Sequence, residues 1–389
     1  MPDDEKLTSD IFGLPSYEAA RPLKREFLPW HRPRKQFVRS RQWTEQIERL
    51  LDAIATPLTS LRYLGLPGLD LLDLRYFHDA VCKPRALYLK FLGFNSGATG
   101  DEGTRLELNI SLDEVKKLSH VDPLSDVIPD DIRQVAIENS VALRRAMAFA
   151  PYHVVNLDLC DGFGQQNPND ATNTQYNAMN RLLQLQLRNN DPWLLLLTTR
   201  CGKSHVDSDV LESMLAGYIR NLSNCAPFVS VSAGKFKINN EADLRRTVLT
   251  EEGHLVVFLT GICKWLLGMA ISANPPWEIE LKSVIGYKVD AAAPCEDLMS
   301  LALRFTPRSG LADPFHLAKL PVVAPDECAL AVKALTRVSK RVNADELLAS
   351  NSVLQQEMTM NMADLLELAR YERSEYIAWV RSTEGWQLP

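Results

Sequence analysis

The chain has 389 residues, of which 46% are hydrophobic and 24% are charged, and its formal net charge is −6. This is an ordinary globular composition, and the length is sufficient for two or three domains. The acidic balance excludes a general attraction of the whole chain to nucleic acid or to an anionic membrane. Either partner would therefore need a local basic patch.

The cysteine pattern indicates reduced thiols and a cytoplasmic protein. No CxxC motif occurs, and the seven cysteines are all more than 20 residues apart, at Cys82, Cys160, Cys201, Cys225, Cys263, Cys295 and Cys328. Such spacing favours neither a disulfide framework nor a metal site. The polar start, MPDDEKLTSD, lacks the apolar run of a secretory signal. We therefore expect buried thiols and no bound metal.

A basic segment lies near the start of the chain. We expect residues 1–20 to be a loosely ordered tail within a basic N-terminal arm of residues 1–45. Residues 21–43 contain eight Lys or Arg, one acid and two Trp. Cations neutralise phosphates and aromatic rings stack on bases. The segment predicts nucleic-acid contacts by Arg32, Arg34, Lys35, Arg39 and Arg41. The alternative is a solvated arm that its apolar residues pin to the domain.

Residues 46–225 alternate between apolar strands and helices. Strands are predicted at residues 61–66, 86–94, 152–159 and 193–199. Helices are predicted at residues 43–54, 69–80, 129–149 and 176–188, with a short helix opened by a capping box at residues 111–114. Because the strands are almost continuously apolar, we expect them to be neighbours in a parallel sheet that is covered on both faces.

Residues 226–340 have a different pattern, which predicts a separate α+β module. The apolar run 255–273 carries Lys264 at its centre, a costly position for a charge in lipid, so we interpret it as a buried helix. Residues 278–287 predict a strand. Residues 298–305 alternate as a half-buried antiparallel strand does. A helical tail is expected from residue 341 to residue 389.

Three loops follow predicted strands and should meet at the ligand-binding edge of the sheet, at residues 65–70, 93–104 and 158–166. In the first loop, Gly65 and Gly68 let a backbone approach a ligand, and Asp70 follows at a helix start, where N–H groups favour anionic groups. The alternative is an ordinary strand–helix turn.

The sequence NLDLCDGFG, residues 156–164, ends a buried strand with carboxylates. Desolvating such groups is costly, so a reason for their position is needed. Asp158 and Asp161 are able to accept hydrogen bonds from an amine or to act as a base. The alternative is that one of them caps the next helix.

The third strand-end segment, TTRCGKS at residues 198–204, predicts no site. A phosphate-binding loop requires glycine where Leu197 stands, inside the strand. Cys201 and His205 lack a base, an orienting group or a further metal ligand.

The segments YHVVNLDLCDGFG and WLLLLTTRCG resemble the tRNA guanosine N2-dimethyltransferase family, whose members have the class I S-adenosylmethionine-dependent methyltransferase fold. The resemblance covers residues 60–205. It implies that Asp158 takes the place of the motif aspartate and that Phe163 approximates the motif aromatic. It also implies that Gly65 and Gly68 are glycines of the cofactor loop. No acid follows the second strand, where Asn95 is the nearest polar residue.

Two functions follow from these patterns. The first is a Rossmann-like methyltransferase that acts on nucleic acid and binds S-adenosylmethionine between the three loops. Its catalytic residues would be Asp158, Asp161 and Phe163, and its cofactor-binding residues Gly65, Gly68, Asp70, Asn95 and Asn156. The second is a non-catalytic methyltransferase-fold protein that binds a protein partner through its C-terminal module, within a larger assembly such as a bacterial defence complex.

Overall fold

A computed structural model describes residues 23–166, 173–290, 292–308 and 325–388. The expected tail at residues 1–20 lies outside the described residues. The side chain of Cys160 is also outside them.

The described chain contains one eight-stranded sheet with the order β3-β2-β1-β4-β5-β7-β6-β8. The strands are β1 (Ser60–Gly65), β2 (Tyr88–Phe94), β3 (Asp126–Ile128), β4 (Val154–Gly162), β5 (Trp193–Arg200), β6 (Trp277–Tyr287), β7 (Leu298–Pro307) and β8 (Val342–Asn343). Strands β1 to β5 are parallel. The four apolar strands predicted from the sequence are therefore adjacent, as expected.

Strands β6 and β7 extend this same sheet. β7 pairs antiparallel with both β5 and β6, and β6 pairs parallel with β8. The separate α+β module predicted for residues 226–340 is thus wrong, because its two long strands complete the first sheet. Residues 298–305 were interpreted correctly as an antiparallel strand, but β7 is buried along most of its length rather than half-buried, because helices cover both faces of the sheet. Pattern alone does not reveal which strand is the neighbour. The result is an α/β fold with a mixed, mostly parallel sheet.

The helices cover both faces of the sheet. They are α1 (Pro33–Val38), α2 (Glu45–Leu51), α3 (Leu72–Phe77), α4 (Glu102–Lys116), α5 (Val141–Phe149), α6 (Gln175–Gln186), α7 (Ser208–Asn224), α8 (Ala226–Phe236), α9 (Glu241–Thr247), α10 (Glu251–Ser272), α11 (Glu327–Val338), α12 (Ala344–Ala349), α13 (Ser352–Glu367) and α14 (Arg373–Glu384). A wide π-helical segment, Arg39–Thr44, joins α1 to α2. The predicted helical tail is confirmed as α12 to α14.

Two helix predictions between β2 and β4 are wrong. Ser111 does not open a helix, because it is buried in the middle of α4, which Asp101 caps by accepting from the Thr104 N–H at 2.7 Å. The long helix predicted for residues 129–149 is a short 3-10 turn, Ile132–Ala136, followed by α5. The side chain of Ser140 caps α5, and such a local bond offers the backbone an alternative to a continuous helix.

Each face of the sheet has its own apolar core. Val155 lies on the face of the sheet that α5 to α8, α10 and α11 cover. Its neighbour Val154 lies on the opposite face, which α1 to α3 cover. By length and composition α10 is able to span a membrane, but 67% of its most apolar window is buried within the fold. Lys264 pairs with Glu327 at 2.5 Å and also contacts Asn221. The prediction of a buried helix is confirmed.

The cysteine prediction needs a correction. Cys225 and Cys328 form a disulfide that links the α7–α8 junction to α11, across 103 residues of sequence. So wide a spacing gives no sign of pairing in the sequence. Cys82, Cys201 and Cys263 are buried free thiols, as expected. Burial raises the pKa of the Cys82 and Cys263 thiols to about 12.

Candidate functional site

A cleft of about 670 Å³ lies at the carboxyl ends of β1, β2 and β4. Residues of all three predicted loops line it, together with the turn after β3. This edge includes the point between β1 and β4 where the strand order reverses, which is where open α/β sheets bind ligands. The prediction that the three loops meet at one edge is confirmed.

The glycines of the first loop have different roles. Gly68 lines the cleft, and a Cβ at this position would meet open space. Gly65 is not among the lining residues, and a Cβ there would lie 2.6 Å from the Tyr63 hydroxyl. Gly65 therefore makes room for a core side chain, and only Gly68 fits the predicted contact with a ligand.

Asp70 lines the cleft, but its carboxylate is already engaged. Lys24 forms an ion pair with it, and the Tyr371 hydroxyl donates to it at 3.0 Å. His31 Nε2 lies 3.6 Å away, beyond hydrogen-bond range. Burial raises the pKa of the Asp70 carboxyl, but His31 and Lys24 lower it further, to about 2. Asp70 thus ties the N-terminal segment and the C-terminal helices to the first loop.

Asn95 lines the cleft at the end of β2. Its amide donates to the Pro67 carbonyl at 2.9 Å and accepts from the Ala98 N–H at 3.0 Å. These bonds hold the first two loops together. Because an amide has four hydrogen-bonding positions, part of its capacity remains for a ligand.

Asp158 is the cleft residue whose environment is most unusual. Its Oδ1 lies 2.5 Å from the ammonium of Lys35, whose side chain is 4% exposed. The same ammonium lies 4.5 Å from the centre of the Trp43 ring. Asp158 is 22% exposed and caps no helix, since Thr174 caps α6. The helix-cap alternative for Asp158 is therefore wrong.

Asn156 precedes Asp158 by two residues on β4 and does not line the cleft. It is 1% exposed, and its side-chain amide lies beside the buried Tyr63. It is thus placed beneath the site that it was predicted to form.

Asp161 is turned out of the sheet by an irregularity at the end of β4. Asp158 is opposite Thr198 and Gly162 is opposite Arg200, so four steps on β4 match two on β5. Such bulges are frequent beside active sites, where they re-aim a side chain. Asp161 is exposed in the cleft, where Arg133 attracts its carboxylate from a distance, and no described residue forms a hydrogen bond or an ion pair with it.

Phe163 is displaced in the opposite direction. Its side chain is fully buried and packs edge-on against Tyr176, with Trp265 also in contact. Phe163 does not line the cleft, so the prediction of a catalytic role is corrected to a role in the core. Because of the bulge, Asp161 and Phe163, which are two positions apart, lie on opposite sides of the strand. Sequence spacing does not reveal this change.

Several lining residues were missed. Asp130, Asp131 and Arg133 follow β3, and Arg133 pairs with Asp131 at 2.7 Å. Asp130 and Asp131 were assigned to the start of the predicted long helix, because a strand of only three residues, such as β3, leaves little pattern in the sequence. Pro129 was the one available signal of a loop. Trp30 also lines the cleft and is 45% exposed.

The lining carries more negative than positive charge. Six carboxylates face two guanidinium groups, those of Arg39 and Arg133; the carboxylates are Asp70, Asp73, Asp130, Asp131, Asp158 and Asp161. Four of the six pair with a cation. Within the described part of the chain, Asp130 and Asp161 have no cation at ion-pair distance. The cleft is therefore suited to a ligand with positive charge.

The predicted basic arm is not a free cationic surface. Lys35 and Arg39 are buried, and Arg39 pairs with Asp73 at 2.6 Å. Arg32 and Arg34 pair with Glu384, and exposed Arg41 pairs with Glu357. The five predicted phosphate-binding cations are thus engaged with carboxylates. The sequence count missed this because the acids that match them lie far along the chain.

No cluster of metal-binding side chains occurs among the described residues.

A family model described as PP_RS20740-like matches residues 24–381. The chain belongs to this family. The match spans the sheet, the cleft and the helices of the tail, so these parts form one family unit. A comparison with curated proteins found no match.

Proposed function

We propose that the cleft binds S-adenosylmethionine and that the chain is a methyltransferase-like protein of the class I fold. The strand order supports this proposal, because 3-2-1-4-5 is the order of the classic Rossmann sheet. The antiparallel β7, inserted between β5 and β6, is a further feature typical of class I methyltransferase sheets.

The charge of the cleft carries the proposal. Asp130 and Asp161 face the cleft, and no described cation forms an ion pair with either of them. A cationic ligand therefore gains affinity from these carboxylates, and a phosphorylated ligand loses affinity. Dinucleotides and nucleoside triphosphates would bring several negative charges to this edge. S-adenosylmethionine instead carries a sulfonium and an ammonium against one carboxylate.

The residues present fit this cofactor in size and in shape. Ligand pockets of 300–1,000 Å³ are usual, and the cleft falls within this range. Gly68 leaves open space for close approach, Asn95 offers spare hydrogen-bonding capacity, and Trp30 provides an aromatic face. When bound, the cofactor supplies an activated methyl group. Asp158 and Asp161 would orient an acceptor by accepting hydrogen bonds.

The nature of the acceptor is narrowed by the arm. Because the five predicted phosphate-binding cations are paired with carboxylates, the described part of the arm presents no row of free cations to a nucleic-acid backbone. The proposal therefore covers the cofactor and the fold class and leaves nucleic acid as one candidate acceptor among others.

Calorimetric titration of the purified chain with S-adenosylmethionine tests the proposal. Asp161→Asn removes a carboxylate that forms no ion pair or hydrogen bond with a described residue, so the fold should keep its stability while the affinity for S-adenosylmethionine falls about fivefold or more. The matched control is Asp209→Asn, which removes an exposed carboxylate of α7 outside the cleft. Equal affinity in the two variants would remove Asp161 from the site. No binding by the parent chain would favour the non-catalytic interaction protein.

A further inference from the structure

A second pocket, of roughly 470 Å³, lies at the opposite edge of the sheet, where β1, β2 and β4 begin. We call it the amino-end pocket. Its polar lining is formed by the side chains of Thr59, Ser60, Arg62, Tyr88, Lys90, Asp122 and His153. Nothing in the proposed methyltransferase function uses this edge.

Two like charges stand side by side in this pocket. Arg62 on β1 is the register partner of Lys90 on β2, so both side chains leave the same face of the sheet. Like charges directly opposite each other on neighbouring strands destabilise a sheet. Both side chains are only partly exposed, which makes the repulsion harder for water to screen.

Among the described residues, a carboxylate forms an ion pair with only one of these two cations. No described group lies within hydrogen-bond or ion-pair distance of the Arg62 guanidinium. Asp122 is 3.9 Å from the Lys90 ammonium, at the limit of an ion pair. Burial lowers the pKa of Arg62, and Asp191 only partly opposes this effect. The pocket lining thus holds two cations against the one carboxylate of Asp122, and Arg62 is the cation without an ion pair.

His153 adds a third donor to the row. It immediately precedes β4, beside Arg62, and its Nδ1 accepts from the Arg62 backbone N–H at 3.0 Å. Burial, assisted by Arg62, lowers the pKa of His153 to about 4, so the ring is neutral at pH 7. With Nδ1 accepting, its proton lies on Nε2, which is then a donor. The hydroxyls of Thr59 and Ser60 stand beside this row.

We propose that the amino-end pocket binds an oxyanion, either free phosphate or the phosphate of a small ester. An anion between Arg62 and Lys90 relieves their repulsion and accepts charge-assisted hydrogen bonds from both. The guanidinium fork suits two phosphate oxygens at once. This site is distinct from the acidic cleft, which repels the same group.

Thermal melting and calorimetry with inorganic phosphate test the proposal, with sodium chloride at matched ionic strength as the reference. Glycerol phosphate in a parallel titration distinguishes an ester from the free ion. We expect phosphate to stabilise the parent chain, and Arg62→Gln and Lys90→Gln each to weaken phosphate affinity at least about tenfold. Lys83→Gln removes an exposed cation elsewhere and should bind as the parent does.

A second readout separates binding from a structural role. Without phosphate, Arg62→Gln should melt close to the temperature of the parent, because the guanidinium forms no ion pair or hydrogen bond with a described residue that the substitution would remove. If Arg62→Gln fails to fold, Lys90→Gln decides, since either variant removes the charge pair. No stabilisation of the parent by phosphate beyond that by chloride would overturn the proposal. Phosphate affinity unchanged in the glutamine variants would do the same.

Discussion

Replacing Lys35 with methionine tests how α1 supports the cleft. The substitution keeps an apolar stem against Trp43 and removes the ammonium that lies 2.5 Å from Asp158. Breaking a buried ion pair from one side costs about 3–5 kcal/mol. Asp158 is 22% exposed, so water replaces part of the lost interaction and the lower end of this range applies. We expect the free energy of unfolding to fall by about 3 kcal/mol.

The pair interaction is isolated by a double-mutant cycle in chemical denaturation. Asp158→Asn alone leaves the Lys35 ammonium buried without its carboxylate, so it also destabilises the chain. The double variant carries neither charge and should recover a coupling energy of about 2 kcal/mol relative to the sum of the single variants. A coupling below about 0.5 kcal/mol would refute the view that Lys35 and Asp158 form one unit.

Two further predictions concern the links to the cleft and between helices. The pKa of Asp70 in the folded chain is about 2, below its usual 3.8, so this carboxylate contributes about 2 kcal/mol to the free energy of unfolding above pH 4 and loses that contribution as the pH falls toward 2. Acid denaturation of Asp70→Asn should therefore lack this part of the pH dependence. An acid denaturation curve identical to that of the parent would contradict the prediction. Because of the Cys225–Cys328 disulfide, the denatured chain should titrate two fewer free thiols than the reduced, denatured chain. Reduction of the bond should lower the free energy of unfolding by about 2–5 kcal/mol. An equal number of thiols in both samples would show that the bond does not form.

The strands of the parallel sheet were predictable because their apolar runs are long and alternate with helices. β1, β2, β4 and β5 all lie within three residues of their predicted bounds. Their order placed three loops at one edge, and the cleft lies there. Periodicity records burial, and burial on both faces is the defining property of such strands.

The individual site residues were less predictable because their roles depend on distant partners. Asp70 looked free in sequence, but Tyr371 lies 301 positions away along the chain. The cations of the arm looked like a nucleic-acid surface because their carboxylate partners, such as Asp158 and Glu384, come much later. Local composition records charge, whereas pairing is decided by the fold.

The bulge in β4 separates the two acids of the strand from the aromatic residue after them. The strand-end position of the two acids and the resemblance to the methyltransferase motif predicted that Asp158, Asp161 and Phe163 act together. The bulge turns Asp161 outward and leaves Phe163 in the core. An irregularity of this kind follows from tertiary contacts, such as the close approach of the His205 backbone to Gly162, which the sequence does not display.

Comparing the binding of S-adenosylmethionine with that of NAD⁺ by calorimetry tests the central claim most directly. Both ligands contain adenosine, and both are bound by sheets of this general class, but NAD⁺ brings a pyrophosphate to the strand ends. Because Asp130 and Asp161 face the cleft and no described cation forms an ion pair with either, we predict that S-adenosylmethionine binds and that NAD⁺ does not. Binding of NAD⁺ in preference to S-adenosylmethionine would contradict the account.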